Sequence, residues 1–325
     1  MADERRAIAM YTPYLRGKQY ELLALKERAG LLGTSGSIVP IIEPVREPDG
    51  GLDRCLNSLR EAAVEVVLVA NPRVGALSGA GIATSLSEYV QHQRDVRWNF
   101  GLLIDESTDV RALLAQYDAL LPAESELTLI HRGVSSDPDF LRSESRRLGR
   151  KYDLVDDSLR QRHFRQFLRE SIGIILHDGF RAEERNSGYL AREEGVFTED
   201  NLYFREEGWG GFGDYLTIGS GWTEGGFTPR AVAIHWTYQP SPGAPIMIRH
   251  FTSQSNGDTA NVGGKFLEAC SKLVRFLDER DLRGPAANTM RQHLESQTYP
   301  GLGIVKKLSV QNHLELMAAV LAGSA

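Results

Sequence analysis

The chain has 325 residues, 42% of them hydrophobic and 25% charged, with a net charge of −6, the balance of an ordinary soluble globular protein. That length suits one large α/β domain with a full core, and the negative balance offers no footprint for a polybasic nucleic-acid surface. Two cysteines, Cys55 and Cys270, exclude a disulfide framework or a cysteine zinc site, and no stretch approaches the roughly 20 apolar residues of a membrane span, so a cytoplasmic protein with no membrane association is expected.

Along the chain, short apolar runs each end in a polar residue and pass into helical periodicity. The first strand is expected at Ala7 to Tyr11, with a turn at Pro13 and a helix from Gly17 to Leu32. The second unit has a strand from Ile38 to Val45, a turn at Pro48 to Gly51 and a helix to Glu65. Val66 to Ala70 and a helix from Ile82 to Arg94 make the third unit, and Phe100 to Ile104 with Val110 to Leu121 the fourth. In the fourth, Asp105 to Thr108 stand where a helix cap belongs. The fifth runs from Leu127 to Ile130, through His131-Arg132-Gly133, into a helix near Asp137-Pro138.

After Lys151 the rhythm loosens. Tyr152 to Val155 reads as a sixth strand and Gly173 to Leu176 as another short apolar run. Residues 181–213 read as a long polar, Gly-rich loop, the kind that serves as a lid or a partner-binding segment. Strand character returns at Asp214 to Ile218, Ala231 to Tyr238 and Ile246 to Thr252, the last two as a hairpin. Helices are expected at Gly264 to Glu279, Ala286 to Glu295 and Val310 to Leu321.

Strand starts at Ala7, Ile38, Val66, Phe100, Leu127, Tyr152, Tyr215 and Ala231 give eight, the number that closes a barrel. The expected fold is therefore a single α/β domain over residues 1–325, a (β/α)8-type barrel with an extra hairpin and C-terminal helices. A doubly wound sheet is the rival. It normally carries a glycine-rich phosphate loop after its first strand, where this chain has Thr12 to Lys18.

In such a barrel the polar strand ends converge on one rim. Glu43, Asp105, His131, Asp214 and His250 are the candidate catalytic groups. Arg16, Lys18, Asn71, Arg132 and His235 are the candidate ligand contacts, and Asp157 would join the same rim. Carboxylates with histidines can hold a divalent metal, the one cofactor this set suggests, while Arg and Lys bind phosphate or carboxylate. A phosphate-bearing ligand fits that combination. His235 and His250 hold matched places in neighbouring strands and can share a face. No H-E-x-x-H and no G-x-S-x-G elbow is present, so a zincin or serine hydrolase is not expected.

His131-Arg132-Gly133 resembles the tripeptide that opens glycerophosphodiester phosphodiesterases, metal-dependent barrels, but stands on the fifth strand rather than the first. A broader resemblance rests on Tyr11 to Leu25 followed by Ile38 to Val45, with Asn71-Pro72, Arg185-Asn186, Phe212 to Tyr215, His250-Phe251 and Gly264 to Phe266. Together these resemble an uncharacterised bacterial and phage family known as beta protein. That resemblance implies a phage-defence setting beside nuclease-like neighbours, and no reaction. Two functions stay open: binding a nucleotide or nucleic-acid end at the rim, extending to metal-dependent phosphodiester hydrolysis, or a non-catalytic subunit for a nuclease-like partner encoded nearby.

Overall fold

The computed structural model describes residues 10–93, 96–160, 170–224 and 228–323. Eight parallel strands close into a barrel: β1 (Met10–Leu15), β2 (Ile41–Ile42), β3 (Val67–Val69), β4 (Asn99–Ile104), β5 (Glu126–His131), β6 (Arg150–Asp156), β7 (Ile172–His177) and β9 (Gly211–Asp214). Helices α1 (Gln19–Ser35), α2 (Gly50–Glu61), α3 (Thr84–Gln91), α4 (Val110–Leu120) and α5 (Pro138–Arg147) fill the first five crossovers. Their starts follow local chemistry. Asp49, Asp109 and Asp137 accept hydrogen bonds from the first-turn amides of α2, α4 and α5.

The barrel is confirmed, but two of the eight strands are not those expected. Residues 172–177, read as an extra apolar run, form the seventh strand, and the eighth is Gly211–Asp214. Tyr215 lies just past that strand and Ala231 outside the barrel. The glycines that make 210–213 look like a loop are what closes the barrel. A Cβ on Gly213 would sit 2.3 Å from Thr12 Oγ1 and 2.4 Å from Thr12 O, so only glycine lets β9 approach β1. At the other end of the first unit, Pro13 lies within β1 rather than in a turn. Tyr11 donates its N–H to Ser37 O, whereas Pro13 has no N–H to add to the ladder. Positions 7–9 of the expected first strand, and Arg94 at the end of the third helix, lie outside the described residues.

Segment 181–213 is not a structureless loop. It carries a 3-10 turn (Asn186–Leu190), strand β8 (Glu194–Thr198) and a short helix α6 (Asp200–Tyr203) before β9. β8 joins β10 (Ala233–Tyr238) and β11 (Ile246–Thr252) in an antiparallel sheet ordered β10-β11-β8. The expected hairpin is present, and both its strands belong to this accessory sheet. Helices α7 (Val262–Glu279) and α8 (Pro285–Glu295) cover one face of it, where Trp236, Phe251 and Phe276 are buried. Helix α9 (Leu302–Leu321) starts eight residues earlier than the periodicity indicates and docks on α1 through Arg28–Glu315 at 2.6 Å and Lys307–Glu27 at 2.7 Å.

Two rows of side chains alternate along every barrel strand. The inner row, Tyr14, Ile41, Val69, Leu103, Ile130, Leu154, Leu176 and Tyr215, packs on itself inside the barrel. The outer row, among it Tyr11, Ile42, Leu68, Leu102, Leu129, Val155 and Phe212, packs against the helices. Among the described residues no helix is long and apolar enough to cross a membrane.

Candidate functional site

The period of two decides which strand-end residues can meet. Counting on from the inner row, Arg16, Glu43, Asn71, Asp105 and Arg132 continue it to the mouth, joined by Asp156 and Asp178. His131, Asp157 and Asp214 fall in the outer row and face away. The expected rim therefore divides into a real mouth and a set of residues behind the wall.

On the β1 to β4 side the mouth is a closed network. Glu43, fully buried, accepts from Tyr14 Oη at 2.8 Å and from the backbone N–H of Arg73 at 2.8 Å, and pairs with Arg16 Nη1. Burial, with the Glu43 charge beside it, pushes the Tyr14 phenol well above its usual value, so it acts as a neutral donor. Arg16 Nη2 donates to Ser220 O at 2.6 Å, and Gly17, at φ +63°, turns the chain away behind it. Arg73 continues the network to Thr108 Oγ1 at 2.8 Å and to Asp105 at 3.6 Å. Asp105 also accepts from Ser107 N at 2.9 Å, Ser107 Oγ at 2.6 Å and Thr108 Oγ1 at 2.9 Å. Burial opposes its charge, but the Ser107 and Thr108 hydrogen bonds and Arg73 outweigh it and hold the carboxyl below its usual value.

Asn71 does not reach for a ligand. Its side-chain amide donates to Leu103 O at 3.0 Å and accepts from Leu103 N at 2.8 Å, extending the β3–β4 ladder past the end of β3. Lys18 stands 4.2 Å from the centre of the Trp222 ring and donates to Thr223 O at 3.2 Å. Burial and the neighbouring Lys306 charge lower its pKa. Segment 219–224 thus lies over the β1 side of the mouth.

The β5 to β7 side is looser. Arg132 lies over the Tyr215 ring at 5.3 Å, with 30% of its side chain exposed. Among the described residues its closest carboxylate oxygen, Asp156 Oδ2, is 3.9 Å away, beyond hydrogen-bond range, and its buried Nη1 has no hydrogen-bond partner. Tyr215 is itself 1% exposed, and its hydroxyl has no partner among the described residues. Asp156 is held by Ser158, and Asp178 by Phe180 N and Ser220 N.

Behind the wall the other candidates are paired, and all but Asp157 and His235 are buried. Asp214, 1% exposed, accepts from Tyr11 Oη at 2.8 Å and Leu216 N at 2.7 Å, and meets His313 Nε2 at 3.2 Å. His313 in turn contacts Thr237 Oγ1 at 2.9 Å, so one polar chain links β1, β9, α9 and β10. His131 Nε2 meets Asp153 Oδ1 at 2.7 Å, both fully enclosed. Asp157 pairs with His177 at 3.2 Å and with Arg160. On the accessory sheet His235 and His250 sit directly opposite each other, their Nδ1 atoms 2.8 Å apart. Phe180 and Tyr189 flank them, with ring centres 4.9 and 4.8 Å from His235. Burial drives both imidazoles down, His235 to about 3 with His250 adding to the effect, and His250 to about 4 with Arg192 adding to it. They form a neutral pair with a shared hydrogen bond.

The five candidate catalytic groups are therefore not assembled: Glu43 and Asp105 belong to the mouth, His131 and Asp214 to the layer behind it, and His250 to the accessory sheet. Among the described residues no three His, Cys, Asp or Glu side chains are grouped to hold a metal ion. The sequence reading passed over Arg73, Asp156, Tyr14 and Tyr215. Stepping by two from the inward apolar residues of each strand would have selected Asp156 over Asp157, and Arg132 over His131.

These features define a class, a (β/α)8-type barrel with an accessory antiparallel sheet and a charged mouth. The chain matches no protein-family model, and a search of curated proteins finds no match.

Proposed function

We propose that this protein binds a phosphate-bearing ligand at the carboxyl-terminal mouth of the barrel, with Arg132 as the principal contact, and that it binds without cleaving. The observation that carries this reading is the contrast between two arginines. Arg16 is enclosed and both its terminal nitrogens are taken up, Nη1 by Glu43 and Nη2 by Ser220, with only Nε unpartnered among the described residues. Arg132 is 30% exposed over an aromatic ring, with Nη1 unpartnered and, among the described residues, no carboxylate nearer than Asp156 at 3.9 Å. A planar guanidinium so placed suits two parallel hydrogen bonds to a phosphate. Lys18, on the β1 side, adds positive charge.

Hydrolysis draws less support, because the candidate acids and bases stand in three separate places and those at the mouth are committed to neighbours. In the phage-defence setting implied by the resemblance, a nucleotide or a nucleic-acid end is the phosphate-bearing ligand to probe first. Calorimetric titration with adenosine monophosphate and with a 5′-phosphorylated oligonucleotide tests the reading. Arg132→Ala should weaken binding by about tenfold or more, the equivalent of one charge-assisted contact, with the melting temperature unchanged. Equal affinity for wild type and variant, or phosphodiester turnover by the purified protein, would overturn it.

A further inference from the structure

Three hydrogen bonds are left unmade around one aromatic ring at the mouth. Tyr215 follows β9 and continues the inner row, its ring 5.0 Å from that of Tyr14. Two guanidinium groups lie over it, Arg132 from the end of β5 at 5.3 Å and Arg16 from the end of β1 at 5.9 Å. In the closed strand order β1 and β5 stand opposite each other, so the two cations reach this ring from facing sides of the barrel. An aromatic ring draws cations to its faces, which is what brings two like charges to one spot.

Tyr215 Oη, Arg132 Nη1 and Arg16 Nε are each buried, and none has a hydrogen-bond partner among the described residues. Buried polar atoms are nearly always bonded, so three donors left unmade around one ring point to an acceptor that the chain itself does not supply. The nearby carboxylates do not serve. Glu43 is committed to Arg16 Nη1, Tyr14 and Arg73, and Asp156 stops 3.9 Å short of Arg132. The missing acceptor must present oxygens on several sides and enter from the open end of the barrel. A terminal phosphate does so: three of its oxygens carry no ester group, and the fourth leads the rest of the molecule back out through the mouth. An internal phosphodiester has only two free oxygens, and its chain would have to continue into the packed interior beneath Tyr215.

We propose that the mouth selects a terminal phosphomonoester, seated over Tyr215 with its free oxygens on Tyr215 Oη and Arg132 Nη1 and facing Arg16 Nε. Resting on the phosphate-binding reading above, this seat adds a contact residue, Tyr215, and a class of ligand. Arg132 is the member of the three whose side chain meets solvent, and its guanidinium lifts from the ring to admit the phosphate and turns with it. Adenosine monophosphate and its cyclic 3′,5′ diester are titrated by calorimetry into the full chain and into Tyr215→Phe, which removes the hydroxyl and keeps the ring. Wild type binds the monoester at least about tenfold more tightly than the cyclic diester. Tyr215→Phe weakens the monoester by about tenfold and so narrows that gap. Because it removes an unpartnered hydroxyl, the same variant holds or raises the melting temperature. Equal affinity for monoester and cyclic diester, unchanged monoester affinity in Tyr215→Phe, or a lowered melting temperature in that variant would each overturn the proposal, while the Arg132 contact would stand as long as Arg132→Ala weakens the monoester. Failure of wild type to bind either nucleotide or the 5′-phosphorylated oligonucleotide would remove both.

Discussion

The mouth of the barrel and the seam behind it use the same side-chain types under opposite conditions. At the mouth, Arg73, Asp105, Arg132 and Asp156 keep about a quarter to a third of their side chains in water and answer one another's charges. In the seam, Asp214, His313, Thr237 and Tyr11 are enclosed, and each polar atom of the chain has a named partner. A polar residue at a strand end is thus not a site by virtue of its place. Where water is excluded, leaving a partner unmade is costly and the groups become scaffold; where water reaches, a cation held only loosely by a carboxylate, as Arg132 is by Asp156 at 3.9 Å, can persist for a ligand.

Glu43 is the point at which that contrast is most easily broken, since it sits at the mouth yet is fully buried. Glu43→Ala should cost about 3–5 kcal/mol, because it strands the Arg16 guanidinium in a dry setting, and chemical denaturation measures the loss. A cost below about 1 kcal/mol would mean that Arg16 finds water, and that the whole mouth is wet.

Acid probes the accessory sheet next. His235 and His250 are held neutral in the fold but titrate near 6.5 when unfolded. Below about pH 6.5 the unfolded chain therefore binds more protons, and stability falls as pH drops toward 4, by up to about 1.4 kcal/mol per pH unit for each histidine. Partial exposure of His235 tempers its share. Melting curves from pH 7.5 to 4.5 should show a shallower acid slope in the His235→Gln, His250→Gln double variant than in wild type; parallel slopes would remove the pair from the account.

A smaller effect is expected from Asp214→Asn, which preserves shape but loses the charge that Tyr11 and His313 face. About 1–3 kcal/mol of stability should disappear, with ligand affinity at the mouth unaltered once the protein is folded. A loss of affinity without a loss of stability would move Asp214 from seam to site. Least of all, Arg132→Ala should change stability by no more than about 0.5 kcal/mol, so that its effect on phosphate binding stands clear of folding.

Five of the eight barrel strands and the helices after them were legible because each is an apolar run followed by helical periodicity, with an aspartate cap opening three of the five helices. The sixth, with β7, was visible as apolar character alone. β9 escaped because three of the five residues from Gly210 to Asp214 are glycine, and nothing in its own pattern says that a neighbouring strand needs that space. β8 escaped for a related reason, since its pairing partner lies some fifty residues further on.

The sequence by itself determined the βα rhythm, the barrel it closes and the opposed histidines of the hairpin, because these follow from periodicities local to each segment. Only the tertiary structure decided which strand-end charges meet. Whether a side chain points into the barrel or behind it depends on a register one residue wide, and which carboxylates are neutralised depends on partners brought together from up to 287 residues away, as Glu315 is to Arg28.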